Sequence, residues 1–297
     1  MRLVTFREGR ELKVGALIDG AVLDLRGAFD HLSKEVQPMM DHAFNDMKII
    51  LKHFPEAMPV MQELISSVEG DSNLERKFLK QREEVQLTAP IPRPSKTMIT
   101  GPSWRQYIRD GRVPDFIFIL KPPTAIIGPG DDIVFPRDQE EIVTEVELAI
   151  VVGKPGRYIG EEEAWDHIAG FTVFNDVTDY GLYTRRTPSA MIRAKSYDTF
   201  AAMGPCITTR EQIGDVHDLE LVLRLNGEER VRVNTSEMIY PITHFVASVS
   251  EVMTLRVGDV ISTGCPQVVP VQPGDSVEAE IENIGVLRNQ FVNWKEI

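Results

Sequence analysis

Two carboxylates, Glu145 and Glu147, lie one residue apart in a run of apolar and β-branched residues at positions 144–152. Such a run predicts a buried strand, and because side chains alternate along a strand, both carboxylates should point to the same face. Neighbouring carboxylates repel each other unless a cation lies between them, and a hard divalent ion is the common solution in an enzyme. The pattern also fits an exposed edge strand with a solvated acidic face, so the pair alone leaves metal binding open.

Further polar residues follow at points where side chains can face a cleft. Asp176 comes directly after a strand-like stretch at 170–175, and Lys195 and the pair Thr263-Gly264 lie downstream. Each has an ordinary interpretation as a turn former, a surface lysine or a β-turn. Together with the two glutamates they form a set that could bind a cation and a small anion.

A chain of 297 residues is long enough for one large domain or for a catalytic domain with a smaller appendage. We therefore expect a sizeable core that positions these residues. The net charge of −13 disfavours binding to nucleic acid or to anionic membranes. No stretch approaches the ~18 apolar residues of a membrane helix, which predicts a cytoplasmic protein without membrane contact. Two cysteines, Cys206 and Cys265, cannot form a disulfide framework and are interpreted as packed apolar residues.

Proline and glycine divide the chain. Residues 2–25 predict short strands with a hairpin across Asp19-Gly20, and helices are expected over 34–53 and 59–83. Three prolines between 90 and 94 form a stiff connector, which predicts a small N-terminal α+β domain (1–92) and a catalytic domain (93–297). The second part predicts many short strands and few helices, near 161–169 and 237–252. We therefore expect an α+β, mainly β fold, and the absence of Gly-x-Gly-x-x-Gly and P-loop motifs makes dinucleotide and P-loop chemistry unlikely.

The order and spacing of four short motifs closely resemble the fumarylacetoacetate hydrolase family. That family carries Glu-x-Glu, Asn-Asp-Val, Ala-Lys-Ser-Phe/Tyr-Asp and Thr-Gly-Thr-Pro, and this chain has Glu145-Val146-Glu147, Asn175-Asp176-Val177, Ala194-Lys195-Ser196-Tyr197-Asp198 and Thr263-Gly264-Cys265-Pro266. The resemblance extends over residues 97–292 and includes the segments 120–128 and 273–278. Cys265 stands at a usual threonine position, where a reactive thiol is an alternative to simple packing.

The resemblance implies a mixed β-roll, usually homodimeric, that binds Mg²⁺ or Mn²⁺, with Ca²⁺ possible in its place. The metal ligands would be Glu145, Glu147 and Asp176, Lys195 would assist the substrate carbonyl, and Thr263 and Gly264 would line the site. Three oxygen ligands independently suit a hard cation and leave coordination positions for water and a chelating 2-oxo or diketo acid. Such a metal stabilises an enolate, which explains how one site serves hydrolysis, decarboxylation or isomerisation.

The chain departs from the family pattern where hydrolytic members activate water. Their histidine and glutamate correspond here to Tyr107 and Asp110, and their substrate-holding arginine and glutamine correspond to Tyr180 and Tyr183. A tyrosine with a pKa near ~10 is a poor base at neutral pH. The tyrosines therefore either take part in catalysis or pack around a larger or more aromatic substrate.

Other side chains offer replacements for the missing groups. The candidates for a base are Asp110, Glu140 and Glu141, and those for a substrate-binding cation are Arg185 and Arg186.

Three functional hypotheses follow. The first is metal-dependent hydrolysis of a C–C bond in an acylpyruvate-like or other diketo acid. The second is decarboxylation, isomerisation or another lyase reaction of a 2-oxo acid through the same enolate, which the missing histidine and glutamate favour. The third is a catalytically silent metal-binding protein, which the retention of four costly polar groups disfavours.

Overall fold

The computed structural model describes residues 1–32, 40–139 and 141–296. Its N-terminal part contains strands and helices in the order β1 (Arg2–Glu8), β2 (Glu11–Ile18), β3 (Ala21–Asp24), α1 (Leu25–Leu32), α2 (Met47–Lys52), α3 (Phe54–Glu69), α4 (Ser72–Phe78), β4 (Leu79–Gln81) and β5 (Gln86–Leu87).

The predicted hairpin is confirmed. Ile18 pairs with Ala21, and both turn residues, Asp19 and Gly20, have positive φ, at 45° and 88°. This is the geometry that a two-residue hairpin turn requires, and it favours the Asp-Gly pair.

The predicted N-terminal helices are shorter than expected. Part of the helix predicted over 34–53 lies outside the described residues. Its described part is a short turn at Ala43–Asn45 followed by α2. The one predicted over 59–83 is two helices and a strand, because the Asp71 carboxylate caps a new helix by accepting a hydrogen bond of 2.8 Å from the Asn73 N–H. Beyond α4 the chain pairs with β3 as strand β4.

Strands dominate the rest of the chain, and the predicted α+β, mainly β fold class is confirmed. The elements are β6 (Thr97–Gly101), β7 (Ile117–Lys121), β8 (Ile126–Ile127), β9 (Asp132–Phe135), β10 (Ile142–Thr144), β11 (Val146–Val152), α5 (Glu161–Ala164), β12 (Ile168–Asp176), β13 (Thr178–Asp179), α6 (Tyr180–Tyr183), α7 (Pro188–Ala194), β14 (Ala201–Thr209), β15 (Glu220–Leu225), β16 (Glu228–Asn234), α8 (Ile242–Val252), β17 (Val260–Ser262), β18 (Val269–Pro270), β19 (Ser276–Ile281) and β20 (Gly285–Asn293).

The main sheet runs through both halves of the chain, in the order β4-β3-β2-β1-β14-β12-β11-β17-β6-β7. The halves meet where β1 pairs antiparallel with β14, with Leu3 opposite Ile207. A division at residues 92 and 93 therefore separates two parts that share one sheet, and it stays a prediction as a domain boundary.

Both faces of the main sheet are covered, and this explains the continuous apolar run of β11. On one face Leu148 packs in a cluster with Leu221 of the second sheet, whose order is β16-β15-β19-β20-β9. On the other face Val151 belongs to a cluster that includes Leu64 of helix α3. A small third sheet, β13-β10-β18, adjoins the start of β11. No helix within the described ranges is long and apolar enough to cross a bilayer.

Candidate active site

The predicted carboxylates meet at the end of two paired strands. Glu145 directly precedes β11, Glu147 lies within it, and Asp176 is the last residue of β12. Val146 pairs with Asn175, and the Asp176 N–H donates a hydrogen bond of 3.0 Å to the Glu145 carbonyl. One carboxylate oxygen from each of the three residues lies within 4.8 Å of the others. Glu147 is only 1% exposed, so the alternative of a solvated acidic edge strand is wrong.

Hydrogen bonds fix the orientation of the two glutamates. The Ser262 hydroxyl and the Gly264 N–H, the latter at 3.1 Å, donate to Glu147 Oε2. The Thr178 hydroxyl donates to Glu145 Oε1 at 2.9 Å. Sequence reasoning assigned no role to Ser262 or Thr178, because single hydroxyl residues at strand ends carry no distinctive signal.

Two buried lysines form ion pairs with Asp176, one with each carboxylate oxygen. Lys195, at the C-terminal end of α7, donates to Asp176 Oδ2 and to Thr178 Oγ1 (2.6 Å), and its Nζ lies 3.1 Å from Glu145 Oε1. Lys121, at the end of β7, forms an ion pair of 2.7 Å with Asp176 Oδ1 and donates to the carbonyls of Val177 and Phe200. The sequence signal for Lys121 is a lysine closing an apolar strand before two prolines, and its role there was missed.

Burial and charge act in opposite directions on these lysines. Burial lowers the pKa of Lys121. For Lys195, burial also acts to lower the pKa, but the charges of Asp176 and Glu145 outweigh it and raise the pKa above its ordinary value. Lys195 is therefore an ammonium group held against the carboxylates.

The carboxylates form a site fit for a divalent cation. Burial first, and then the neighbouring negative charges, raise the pKa of both Glu145 and Glu147. A divalent cation would relieve the repulsion between these carboxylates, and an all-oxygen ligand set suits a hard ion.

A cavity of about 310 Å³ opens above the carboxylates. The predicted residues that line it are Glu145, Glu147, Asp176, Lys195, Tyr107, Tyr180, Tyr183 and Gly264, whereas Asp110, Arg185 and Thr263 do not line it. Arg186 lines the cavity in place of its neighbour Arg185. A larger cavity, of about 680 Å³, lies beside α3 and residues 209–212. Among the described residues, no cluster of three potential metal ligands lines it.

The candidate residues that do not line the cavity lie in other surroundings. Asp110 is exposed in a turn with φ of 50°, and Arg185 is exposed after α6. Thr263 is buried, and both its N–H and its hydroxyl donate to the Leu148 carbonyl at 2.9 Å, so it holds the loop against β11. Glu141 is exposed and lies outside the cavity, and Glu140 lies outside the described residues.

The aromatic residues and Cys265 form walls of the cavity. The Tyr107 hydroxyl lies 2.9 Å from both the Cys265 and the Pro266 carbonyl oxygens, and burial raises its pKa, so it acts as a donor to this loop. The rings of Tyr180 and Tyr183 stack with centroids 6.4 Å apart. Burial, Glu145 and Glu147 raise the pKa of the Cys265 thiol, which donates to the Gln267 carbonyl, and this disfavours a reactive thiolate.

Gly264 is required by backbone geometry as well as by its hydrogen bond to Glu147. Its φ is +79°, and a Cβ there would lie 2.7 Å from Ser103 Oγ and 2.8 Å from the Thr100 carbonyl oxygen. Gly264→Ala should therefore lower the free energy of unfolding by about 1–2 kcal/mol for the backbone conformation and by about 1–3 kcal/mol more for the clash. Gly130→Ala is the matched control for urea unfolding, because φ is +80° and its Cβ would meet no atom within 4 Å. Equal losses in the two variants would contradict this reasoning.

Fold and site together define a mainly β enzyme with an acidic triad suited to a divalent cation. The chain belongs to the fumarylacetoacetate hydrolase family, since the family model described as "Fumarylacetoacetate (FAA) hydrolase C-terminal" matches residues 103–292. The resemblance predicted from the motifs is thereby confirmed.

Individual relatives in this family have different activities. The mitochondrial oxaloacetate tautomerase FAHD2A of Bos taurus is 32% identical over 98% of this chain and 92% of its own length. The maleylpyruvate hydrolase of Sphingobium sp. SYK-6, solved with manganese(II) and pyruvate, is 27% identical with a TM-score of 0.79 over 99% of both chains. A 5-carboxymethyl-2-hydroxymuconate delta-isomerase from Mycobacterium smegmatis is 29% identical with a TM-score of 0.75, also over 99% of both chains. The family thus includes isomerising and hydrolytic enzymes.

Proposed function

We propose that this protein catalyses keto–enol interconversion of a small 2-oxo acid at a divalent-metal site. The observation that carries the proposal is the convergence of Glu145, Glu147, Asp176 and Lys195 in one cavity. A bound divalent cation supplies positive charge where the enolate oxygen develops. Lys195 contributes a second positive charge, as a hydrogen-bond donor positioned by Thr178 Oγ1.

The chain's own residues orient this apparatus before substrate arrives. Ser262 and Gly264 hold one oxygen of Glu147, and Thr178 holds one oxygen of Glu145. Carboxylates held in this way would keep a bound cation in place, so the site needs little reorganisation as charge develops.

Proton transfer without water attack fits the composition of the cavity. Hydrolysis needs a base to activate water, but none of the described lining residues is a histidine, and Asp110 lies outside. The Tyr107 hydroxyl is engaged with backbone carbonyls and its pKa is raised, which makes it a poor base. Keto–enol interconversion also moves a proton, from the enol oxygen to the solvent and from the solvent to the neighbouring carbon, but no water molecule has to be activated to add to the substrate. The activity named for the Bos taurus relative supports the same choice.

Hydrolysis of a diketo acid, the first hypothesis from sequence, stays the second candidate. It is favoured by the fold shared with the maleylpyruvate hydrolase that binds manganese(II) and pyruvate. Decarboxylation through the same enolate also stays a prediction. A silent scaffold is disfavoured, because buried charged groups such as Lys121 and Asp176 are costly to retain without a function.

The identity of the ion, the oligomeric state and the cellular location are further proposals. We propose Mg²⁺ or Mn²⁺ as the ion, with Ca²⁺ able to take its place, and manganese(II) in the Sphingobium relative supports this. A homodimer is supported by strand β7 at the end of the main sheet, where Ile117 and Leu120 are 39% and 45% exposed. A cytoplasmic location stays a prediction, since the Bos taurus relative is named as mitochondrial.

The test compares three reactions with the purified protein in Mg²⁺ or Mn²⁺ and in EDTA. Enol-to-keto conversion of oxaloacetate is followed by ultraviolet absorbance, its decarboxylation by release of CO₂, and cleavage of maleylpyruvate and acetylpyruvate by product analysis. We expect metal-dependent tautomerisation without cleavage or CO₂ release. Cleavage of a diketo acid without tautomerisation of oxaloacetate would establish hydrolysis instead.

A further inference from the structure

Arg186 is a solvent-exposed cation at the wall of the cavity. It follows α6, and its guanidinium carbon lies 5.1 Å from the ring centroid of Tyr183. Across residues 1–32, 40–139 and 141–296, no carboxylate forms an ion pair with it. Arg186 is exposed to solvent, and the contact with Tyr183 leaves its N–H donors available to a ligand in the cavity.

The charges around the cavity specify what Arg186 could bind. Glu145, Glu147 and Asp176 are opposed by Lys195, Lys121 and Arg186, so the side chains balance formally. The divalent cation of the proposed function would leave an excess of two positive charges. A dianionic ligand neutralises that excess, whereas a monocarboxylate leaves one charge uncompensated in a partly buried site.

Arg186 lies close enough to Lys195 and the carboxylate cluster for one small ligand to contact both. Lys195 Nζ lies 5.3 Å from the ring centroid of Tyr183, the same ring on which Arg186 stacks. The Lys195 nitrogen and the Arg186 guanidinium carbon are therefore no more than about 10.4 Å apart. A short diacid can reach from the carboxylate cluster along this ring to the guanidinium, and a cavity of about 310 Å³ is small enough to favour one.

We propose that Arg186 binds the second carboxylate of the substrate, remote from the 2-oxo group, so that the site selects short dicarboxylic 2-oxo acids over monocarboxylic ones. Arginine suits this task because its planar donors match a carboxylate in a bidentate arrangement. Tyr183 supports the guanidinium from one face. The inference rests on the proposed function for the orientation of the substrate, with its 2-oxo end at Glu145, Glu147 and Asp176.

Binding is tested separately from turnover. The Mg²⁺-loaded protein is titrated by calorimetry with difluorooxaloacetate and with difluoro-2-oxobutanoate, which lack hydrogens on the carbon beside the 2-oxo group and differ in the remote carboxylate. We expect wild type to bind the diacid more tightly. Arg186→Leu should weaken diacid binding by about 10–100-fold and leave monoacid binding unchanged, as expected for loss of a charge-assisted pair.

Arg193→Leu is the matched control, because Arg193 is an exposed arginine on the same segment that does not line the cavity. Equal weakening of both ligands by Arg186→Leu, or loss of diacid binding in Arg185→Leu instead, overturns the assignment. Diacid selectivity that depends on Arg186 in a protein without tautomerase activity would support this subsite and reject the proposed function. Tautomerase activity with no selectivity for the diacid would support the proposed function and reject this subsite.

Discussion

Glu147→Gln should abolish useful divalent-metal binding, with affinity for Mn²⁺ reduced by more than ~100-fold and turnover lost with it. Changes to residues that only support a ligand already cost about 10–100-fold in metal affinity, and Glu147 would be a direct ligand. Glutamine keeps the shape and an oxygen that can accept from Ser262 and Gly264, so the loss is one of charge rather than of packing.

The same substitution should stabilise the protein when no metal is present. Burial first, then Asp176 and Glu145, raise the pKa of Glu147 above its ordinary 4.5, which means that the ionised form is disfavoured in the folded state. A carboxyl group with a raised folded-state pKa costs stability above that pKa, and the cost disappears as the pH falls below 4.5. The gain from Glu147→Gln in EDTA should therefore be present at neutral pH and vanish in acid.

Thermal unfolding in EDTA and in Mn²⁺ measures both effects. Metal at 100 times its dissociation constant stabilises the wild type by about 2.7 kcal/mol, and this increment should be missing in the variant. Glu162→Gln is the control, an exposed acid on α5. If Glu147→Gln kept the full metal-induced increase in Tm, Glu147 would not be a metal ligand.

The core of this site was predictable because it depends on short-range patterns. Alternation along β11 places Glu145 and Glu147 on one face, and Asp176 ends the strand that follows β11 and pairs with it. The hairpin at Asp19-Gly20 was equally local, since its two residues are the ones that tolerate positive φ.

Other features depend on contacts between distant parts of the chain. Strand β14 is not apparent from sequence alone, because Gly204-Pro205 interrupts it. The strand continues there because its pairing with β12 shifts register between Phe171 and Val173, at the level of Gly204. Tertiary pairing on both sides of β14 thus overrode a local breaker signal.

The cavity walls were the least predictable part of the site. The contact of Lys121 with Asp176 exists only because β7 comes close to the ends of distant strands. Arg185 and Arg186 are adjacent and chemically identical in sequence, and only the irregular backbone after α6 decides which one faces the cavity. No periodicity applies to such a turn, so the sequence supports either residue.

Lys195→Met should reduce turnover by about 10²–10³-fold, the effect expected for removing one donor at a developing oxyanion, yet it should preserve or tighten metal binding. The Lys195 ammonium donates to Asp176 and lies 3.1 Å from Glu145 Oε1, so it competes with a cation for the same oxygens. Removing it leaves these oxygens free for the metal but leaves the enolate without its second positive charge.

The metal-free variant should also be less stable than wild type. Loss of one partner of a buried ion pair typically costs about 3–5 kcal/mol, and here Glu145 loses its ion pair while Asp176 keeps its ion pair with Lys121. Metal then replaces the missing positive charge, so the increase in Tm on adding Mn²⁺ should be larger in Lys195→Met than in wild type. This is the opposite of the result expected for Glu147→Gln.

Calorimetric titration with Mn²⁺, thermal unfolding and steady-state tautomerisation rates together test this prediction. Lys154→Met, which removes an exposed lysine, controls for the general loss of a positive charge. A parallel loss of metal affinity and turnover in Lys195→Met would mean that Lys195 holds the carboxylates in position instead of acting on the substrate. Retained metal affinity with reduced turnover would instead assign cation binding to the carboxylates and stabilisation of the substrate's negative charge to Lys195.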